Sequence, residues 1–223
     1  PDYSLYNYPH SIGFTQRGCR LRCSFCVVPE KEGKPYGVNT IEELWTQRES
    51  DFLVLLDNDF FGNPQWKDRI DELIDMKLKV NFSQGLNIRN IKENQAEALA
   101  KVNFSNINGT KKQVHCAWDD PRHEKLIHKG IKTCMDARIK PYQMAFYILI
   151  GYHSTAAEDL HRVEVLRNYG ADPFVMPYDK TDPYQNSFAR WVNHRAIFKT
   201  VPWGDYRQGR KKIITDERQL TLG

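Results

Sequence analysis

The chain has 223 residues, 40% of them apolar and 12% aromatic, with 32 basic and 28 acidic side chains and a formal net charge of +4. This length and composition fit a domain with its own large core, and they exclude an intrinsically disordered chain and a disulfide-stapled miniprotein. No apolar run approaches the roughly 18 to 20 residues that a membrane-spanning helix needs, so we expect no membrane partner.

The cysteine content indicates a reducing compartment. Five cysteines are an odd number, and three of them lie within eight residues. This pattern argues against a secreted disulfide framework and for metal or redox chemistry. Because no signal or transit peptide is visible, we expect a cytoplasmic location. The chain begins at Pro1 rather than Met, which leads us to expect an upstream segment.

Short apolar runs alternate along the chain with longer segments of helical periodicity. Strands are predicted at residues 11–16, 52–57, 79–83, 113–118, 143–150 and 173–177. Helices are predicted at residues 40–48, 65–76, 92–102, 123–138 and 155–169, with a further helix at 187–200. Thr40 followed by Glu43 has the pattern of a helix capping box, and Ser154 or Thr155 before Glu158 is another.

Six strands separated by five helices predict repeated βα units, which form a parallel sheet with right-handed crossovers. The length allows about six such units and not the eight of a closed barrel. We therefore predict an α/β fold in which residues 1–180 form a partial (β/α)6 TIM-like barrel and residues 181–223 form a C-terminal basic and aromatic extension. Ligand groups in such folds gather at the carboxyl ends of the strands.

The strongest motif follows the first predicted strand, where Cys19, Cys23 and Cys26 form a C-x3-C-x2-C pattern. A structural zinc site needs four protein ligands, usually in two separated pairs, and Cys116 and Cys134 are 18 residues apart. A [4Fe–4S] cluster can instead be held by three cysteines, which leaves one iron open to a small molecule. A zinc site completed by a histidine and a buried thiol cluster are the alternatives.

The triplet, the aromatic Phe25 before its last cysteine and the six βα units resemble the radical S-adenosylmethionine (SAM) superfamily. The run GFTQRGCRLRCSFCVVPEKEGK is also similar to the cluster loops of the methylthiotransferase and cobalamin-associated branch. The resemblance covers about residues 11–180. It implies a [4Fe–4S] cluster on Cys19, Cys23 and Cys26 whose open iron chelates SAM.

The same resemblance implies the reaction and its partners. An electron from a flavodoxin- or ferredoxin-type donor cleaves the S–C5′ bond of SAM, which gives methionine and a 5′-deoxyadenosyl radical that abstracts hydrogen from a substrate. Methyl or methylthio transfer is the reaction class of the branch. Cobalamin would require a domain upstream of the present chain.

The resemblance also indicates residues that seat SAM. Phe25 would lie against the adenine, and Gly151 would permit close approach near the adenine. Asp57 or Asp59 would bind the SAM ammonium in place of the Gly-Gly-Glu motif of many members, although a helix-capping loop is an alternative. Asp119, at the end of the fourth predicted strand, would offer an acidic group to SAM or to the substrate.

Three polar side chains follow the third predicted strand, namely Gln84, Asn87 and Arg89. The N–H fork of Arg89 suits the SAM carboxylate, and Gln84 or Asn87 suits the ribose. A structural turn is the alternative interpretation of this segment.

Positive charge is concentrated near the C-terminus. Residues 190–212 contain seven Lys or Arg and one Asp, a net charge of +6, interleaved with Trp191, Phe198, Trp203 and Tyr206. Such a segment can bind a phosphate backbone and stack bases, which makes nucleic acid a candidate partner. The rings can equally close the open barrel, and residues 209–212 can be a disordered end. The alternative function is a non-catalytic, zinc-binding module that binds nucleic acid.

Overall fold

A computed structural model describes residues 8–208 and 211–212 of the chain. Parallel strands alternate with helices, which confirms the predicted α/β class. The strands are β1 (Ser11–Gly13), β2 (Gln16–Arg17), β3 (Tyr36–Gly37), β4 (Phe52–Leu55), β5 (Lys79–Phe82), β6 (Asn103–Phe104), β7 (Val114–Ala117), β8 (Met144–Ile150), β9 (Asp172–Pro177), β10 (Arg207–Gln208) and β11 (Lys211–Lys212). The α-helices are α1 (Val28–Glu32), α2 (Ile41–Leu44), α3 (Trp66–Asp75), α4 (Glu93–Lys101), α5 (Glu124–Asp136), α6 (Ala156–Tyr169), α7 (Pro183–Asn193) and α8 (Arg195–Thr200).

The larger strands form two parallel sheets, one in the order β1-β4-β5-β6 and one in the order β7-β8-β9. The two sheets meet at a parallel bridge between Leu86 and Cys116, where the Leu86 N–H donates to the carbonyl of His115 at 2.7 Å. The segment after β5 therefore runs beside β7. The partial barrel that the sequence predicts stays a prediction.

The first predicted strand, 11–16, is divided in the structure. The Leu56 N–H still donates to the Gly13 carbonyl at 2.8 Å, but the N–H groups of Thr15 and Gln16 donate to the Asp57 carboxylate. The chain thus leaves β4 after Gly13, and β2 pairs antiparallel with β3 instead. A sequence pattern does not show this change of partner.

Two predicted helices also differ from the structure. The helix predicted at 40–48 has the expected Thr40 capping box but ends after Leu44, and the Trp45 indole donates to the carbonyl of Ser50 at 2.7 Å. The helix predicted at 187–200 is two helices, because His194 ends α7 and its side chain accepts from the N–H of Ile197 in α8. The other helix predictions are confirmed to within two residues at each end.

The aromatic rings of the C-terminal segment join the core. Trp191 is fully buried, and Phe198 and Trp203 are nearly so. Asn193 fastens α7 to the edge of β9, since its side chain accepts from the N–H of Val175 and donates to the carbonyl of Val175, at 2.8 and 2.9 Å. The rings fill space beside the second sheet and are not exposed for base stacking. The division at residue 180 stays a prediction.

Residues 209–210 and 213–223 lie outside the described part of the chain, so the expected disordered end at 209–212 is described only at Lys211–Lys212, which pair with β10. Among the described residues, no helix is both long enough and apolar enough to cross a bilayer.

A buried ion pair supports the carboxyl ends of β7 and β8. Arg162 of α6 has no exposed side-chain surface and pairs with Asp159 at 2.7 Å. Its guanidinium also donates to the carbonyls of Trp118 and Leu149, at 2.8 and 3.0 Å. Trp118 directly follows β7, and Leu149 lies near the end of β8. Arg162 therefore fixes the position of the site described below.

We expect Asp159→Ala to lower the free energy of unfolding by about 3 to 5 kcal/mol, because the mutation leaves the Arg162 charge buried without its partner. Lys132→Ala, which breaks the exposed Lys132–Asp136 pair, should change it by less than about 0.5 kcal/mol. Urea unfolding of both variants measures the difference. Equal effects would contradict a supporting role for the buried pair.

Candidate functional site

All three motif cysteines lie on one loop that is closed at its base. The β2–β3 ladder pairs Arg17 with Tyr36, and the Arg17 guanidinium also forms an ion pair with Glu32 across the loop. Glu32 accepts from the N–H of Gly18 at 3.0 Å, and the Cys19 N–H donates to the carbonyl of Gly33 at 3.1 Å. Burial alone would raise the pKa of Glu32, but the hydrogen bonds from the Gly18 N–H and the Arg17 guanidinium, with the charge of Arg17, together outweigh burial and lower this pKa. The loop therefore has a fixed frame.

Asp57 and Asp59 hold this loop against the sheet. Asp57 accepts from the N–H and hydroxyl of Thr15, at 2.7 and 2.5 Å, and from the N–H of Gln16 at 3.0 Å. Asp59 accepts from the N–H of Arg20 at 3.1 Å and from its guanidinium at 2.7 and 2.8 Å. Neither aspartate lines the cavities described below, and the carboxylates bind groups at the base of the loop and within it. Their predicted role at the SAM ammonium stays a prediction.

The three thiols share one small cavity of about 220 Å³, into which Gln84, Asn87 and Arg89 also project from the segment after β5. Burial raises the pKa of Cys19 to about 11, and the neighbouring Asp59, Cys23 and Cys26 also raise it. Burial likewise raises the pKa of Cys23, while a hydrogen bond and the positive charge of Arg89 oppose this shift. The thiols are close enough to influence one another electrostatically.

A second cavity, of about 420 Å³, adjoins the first. Both cavities are lined by Leu21, Cys23, Phe25, Arg89 and Asp119. The half-exposed ring of Phe25 meets the edge of the Tyr152 ring, with the ring centres 5.7 Å apart. The second cavity thus has an aromatic wall on one side and a cation and a carboxylate at the border with the thiols.

Arg89 is held in place by its neighbours. Its Nε donates to the Asn87 side-chain oxygen at 3.1 Å, and its Nη1 lies 2.8 Å from Nδ1 of His123. Burial and the charge of Arg89 lower the pKa of His123, which favours the neutral ring that accepts this bond. The Asn87 side-chain nitrogen is buried and has no hydrogen-bond partner among the residues that the structure describes. One donor at the thiol cavity is therefore unused.

Asp119 borders both cavities, as expected for a strand-end carboxylate. It accepts from the N–H of Leu149 at 3.1 Å, and burial raises its pKa. Gly151 has a φ of +75°, and a Cβ there would overlap the side chain of Gln185 from α7. Gly151 lines neither cavity, and its neighbour Tyr152 lines the second one. The predicted place of Gly151 near the adenine stays a prediction.

Sequence reasoning missed two residues that shape the site. His123 directly precedes α5 and orients Arg89. Tyr152 follows Gly151 and forms the aromatic wall with Phe25. The position of Tyr152 at the end of a predicted strand was a usable signal, whereas the contact between His123 and Arg89 joins residues 34 positions apart and needs the fold.

The types of donor at this site, although not a closed arrangement of them, fit an iron–sulfur cluster. Three thiols are the ligands that such clusters require, and the adjoining Arg89 guanidinium complements an anionic centre. Among the described residues, no group of three His, Cys, Asp or Glu side chains converges closely enough to hold a metal ion. The chain matches no protein-family model and no curated protein sequence.

The buried carboxyl of Asp57 gives the loop frame a pH dependence. Burial raises its pKa from 3.8 to about 6, so the folded protein binds this proton more tightly than the unfolded chain. The resulting stability is full below pH 3.8 and is lost as the pH rises through about 6. Two pKa units correspond to about 3 kcal/mol.

We therefore expect Asp57→Asn to flatten the dependence of unfolding free energy on pH between 4 and 7, because Asn keeps an acceptor for Thr15 and Gln16 but does not titrate. Urea unfolding at several pH values measures this slope. Parallel curves for the variant and the parent chain would show that Asp57 does not titrate in this range.

Proposed function

We propose that the protein is a radical SAM enzyme in which Cys19, Cys23 and Cys26 bind a [4Fe–4S] cluster. The observation that carries the proposal is the pair of adjoining cavities. One is lined by the three motif thiols, and the other is lined by Phe25, Tyr152 and Arg89. A metal centre and a small molecule with an aromatic base and a carboxylate would then lie side by side.

Three thiols leave one iron of a cubane cluster without a protein ligand, which is the position that SAM would take. The raised pKa of Cys19 means that the free chain keeps this thiol protonated, so cluster assembly releases protons and is favoured by higher pH. When bound, the cluster supplies the electron that cleaves the S–C5′ bond of SAM.

The other site residues bind and orient SAM. Arg89, fixed by Asn87 and His123, presents its N–H groups toward a carboxylate at the border of the two cavities. Phe25 and Tyr152 provide aromatic surface for the adenine, and aromatic contacts of this kind favour offset or edge geometry. The unused Asn87 nitrogen is a donor for a ribose hydroxyl or a carboxylate oxygen.

The reaction class and partners are part of the same proposal. The cysteine loop resembles those of methylthiotransferases and cobalamin-associated enzymes, so methyl or methylthio transfer is the class to test first. The electron donor would be a flavodoxin or ferredoxin in the cytoplasm. The partial (β/α)6 barrel fits the order of the parallel strands, which runs β1, β4, β5, then β7, β8, β9 across the Leu86–Cys116 bridge.

The zinc-binding, nucleic-acid-binding alternative has less support. It relied on Trp191, Phe198 and Trp203 as stacking platforms, and all three rings are buried among other aromatic side chains. Among the bases of this segment whose burial the structure describes, Arg190, Arg195 and Lys199 are exposed. A ring that contacts the core cannot stack on a nucleobase without unfolding the segment.

Anaerobic reconstitution with iron and sulfide tests the proposed cofactor. We expect about four irons per chain, and with dithionite and SAM we expect 5′-deoxyadenosine and methionine in equal amounts. Cys23→Ala should lose both the iron and the cleavage, because it removes one of three ligands. Cys134→Ala should keep both, since Cys134 is buried in the core and lines neither cavity.

Two results would contradict the cofactor assignment. One is a chain that takes up a single zinc and forms no 5′-deoxyadenosine. The other is loss of iron in Cys134→Ala, which would show that the ligand set is different. Iron is measured by colorimetric assay and the nucleoside by liquid chromatography.

Arg89→Gln tests the seat of the SAM carboxylate. Because a charge-assisted hydrogen bond contributes about 1.5 to 3 kcal/mol, we expect the KM for SAM to rise by about tenfold or more. Arg48→Gln, which removes an exposed guanidinium paired with Glu42, should leave the KM unchanged. Steady-state formation of 5′-deoxyadenosine measures both values. An unchanged KM in Arg89→Gln would place the SAM carboxylate elsewhere.

A further inference from the structure

A third cavity, of about 560 Å³, lies below the thiol cavity on the same face of the strands. His115 of β7 lines it, whereas Ala117, two residues further along the same strand, lines the thiol cavity. Residues two apart on an extended segment share a face and lie about 6.6 Å apart. The third cavity is therefore one step from the thiols toward the amino ends of the strands.

Tyr147 of β8 lies between these two cavities. Its hydroxyl donates to the Ser83 carbonyl at 3.1 Å, and a Cβ on Gly85 would lie 3.3 Å from its ring. Its ring also stacks on His115, with the ring centres 5.1 Å apart and the planes inclined by 14°. The ring of Tyr147 is thus a fixed wall between the third cavity and the segment that contains Ser83 and Gly85.

Asn81 lies behind the inner wall of the third cavity. It has no exposed surface, and its side-chain nitrogen donates to the carbonyl of Ser105 at 2.8 Å and lies 3.5 Å from Nδ1 of His115. This buried amide therefore holds the wall of the cavity in place.

The mouth of the cavity carries exposed apolar groups. Phe174, Tyr142 and Ile107 are 46%, 53% and 44% exposed and all line this cavity. Single exposed apolar side chains are ordinary, but several around one opening indicate a ligand site. The Phe174 ring lies edge-on to Tyr147, with centres 6.0 Å apart, and leaves aromatic surface for a flat ring.

Positive charge lies at the same mouth, on α8. Arg195 pairs with Asp172 at 2.8 Å. Lys199, which also lines the cavity, has no ion pair with any of the described side chains. Its ammonium group is available to an anionic group of the ligand.

We propose that this cavity binds a nucleotide, with the base on Phe174 and the phosphate at Lys199. The volume lies within the range of about 300 to 1,000 Å³ that is usual for small-molecule sites. Binding of the nucleotide needs only the folded chain. Its role as the substrate class of the enzyme rests on the proposed function.

The test uses the cluster-free chain Cys23→Ala, titrated with AMP, GMP, CMP and UMP by calorimetry. We expect at least one of the four to bind, and we expect Phe174→Ala and Lys199→Ala each to weaken it by about tenfold, since base stacking contributes about 1 to 3 kcal/mol. The controls Met135→Ala and Lys180→Ala remove a similarly exposed apolar group and an exposed lysine away from the cavity. They should bind like the parent.

Each outcome of these titrations either supports or overturns the nucleotide site. No binding of any of the four at about 1 mM, or equal affinity in all variants, overturns the nucleotide site. A 5′-phosphorylated oligonucleotide, titrated in parallel, distinguishes a free nucleotide from a nucleotide at a strand end. If the titrations fail while the reconstituted parent chain still forms 5′-deoxyadenosine, the nucleotide site is wrong and the proposed enzyme class stands.

Discussion

Two buried aspartates after β4 hold the cysteine loop against the sheet, and the candidate site depends on them. Asp57 binds the backbone where the chain leaves β1, and Asp59 binds the backbone and guanidinium of Arg20 inside the loop. Ordering a loop of this length costs conformational entropy, and these contacts offset that cost. Because the aspartates directly follow β4, the loop is brought to the strand ends that carry Arg89 and Asp119.

Much of the fold follows from local patterns. Short apolar, β-favouring runs predicted β4, β5, β7, β8 and β9, and hydroxyl–glutamate pairs predicted the capping boxes of α2 and α6. The site was predicted less completely. The sequence indicates that Asp57 and Asp59 are functional carboxylates, but whether a carboxylate meets a ligand or a backbone N–H depends on residues about 40 positions away. Gly151 is similar, since Gln185 of α7 occupies the space beside it.

One face of the strands connects the two proposals. From the carboxyl ends toward the amino ends it carries the thiol cavity, the wall formed by Tyr147, and the third cavity, which His115 lines. A substrate bound in the third cavity would lie close to the thiol cavity, because the two cavities are lined by residues only two positions apart on β7. Helices α7 and α8 complete the wall of the third cavity. The C-terminal segment thus has a structural role in its core-facing rings and offers charge at the cavity mouth.

The central claim is that three thiols hold a cluster with one iron open to SAM. The most direct measurement is the electron paramagnetic resonance spectrum of the reconstituted, dithionite-reduced protein, recorded before and after SAM is added. The account predicts the signal of a reduced [4Fe–4S] cluster whose g-values shift when SAM binds the open iron. A protein that shows no iron signal after reconstitution, or a cluster signal that SAM leaves unchanged, would contradict it.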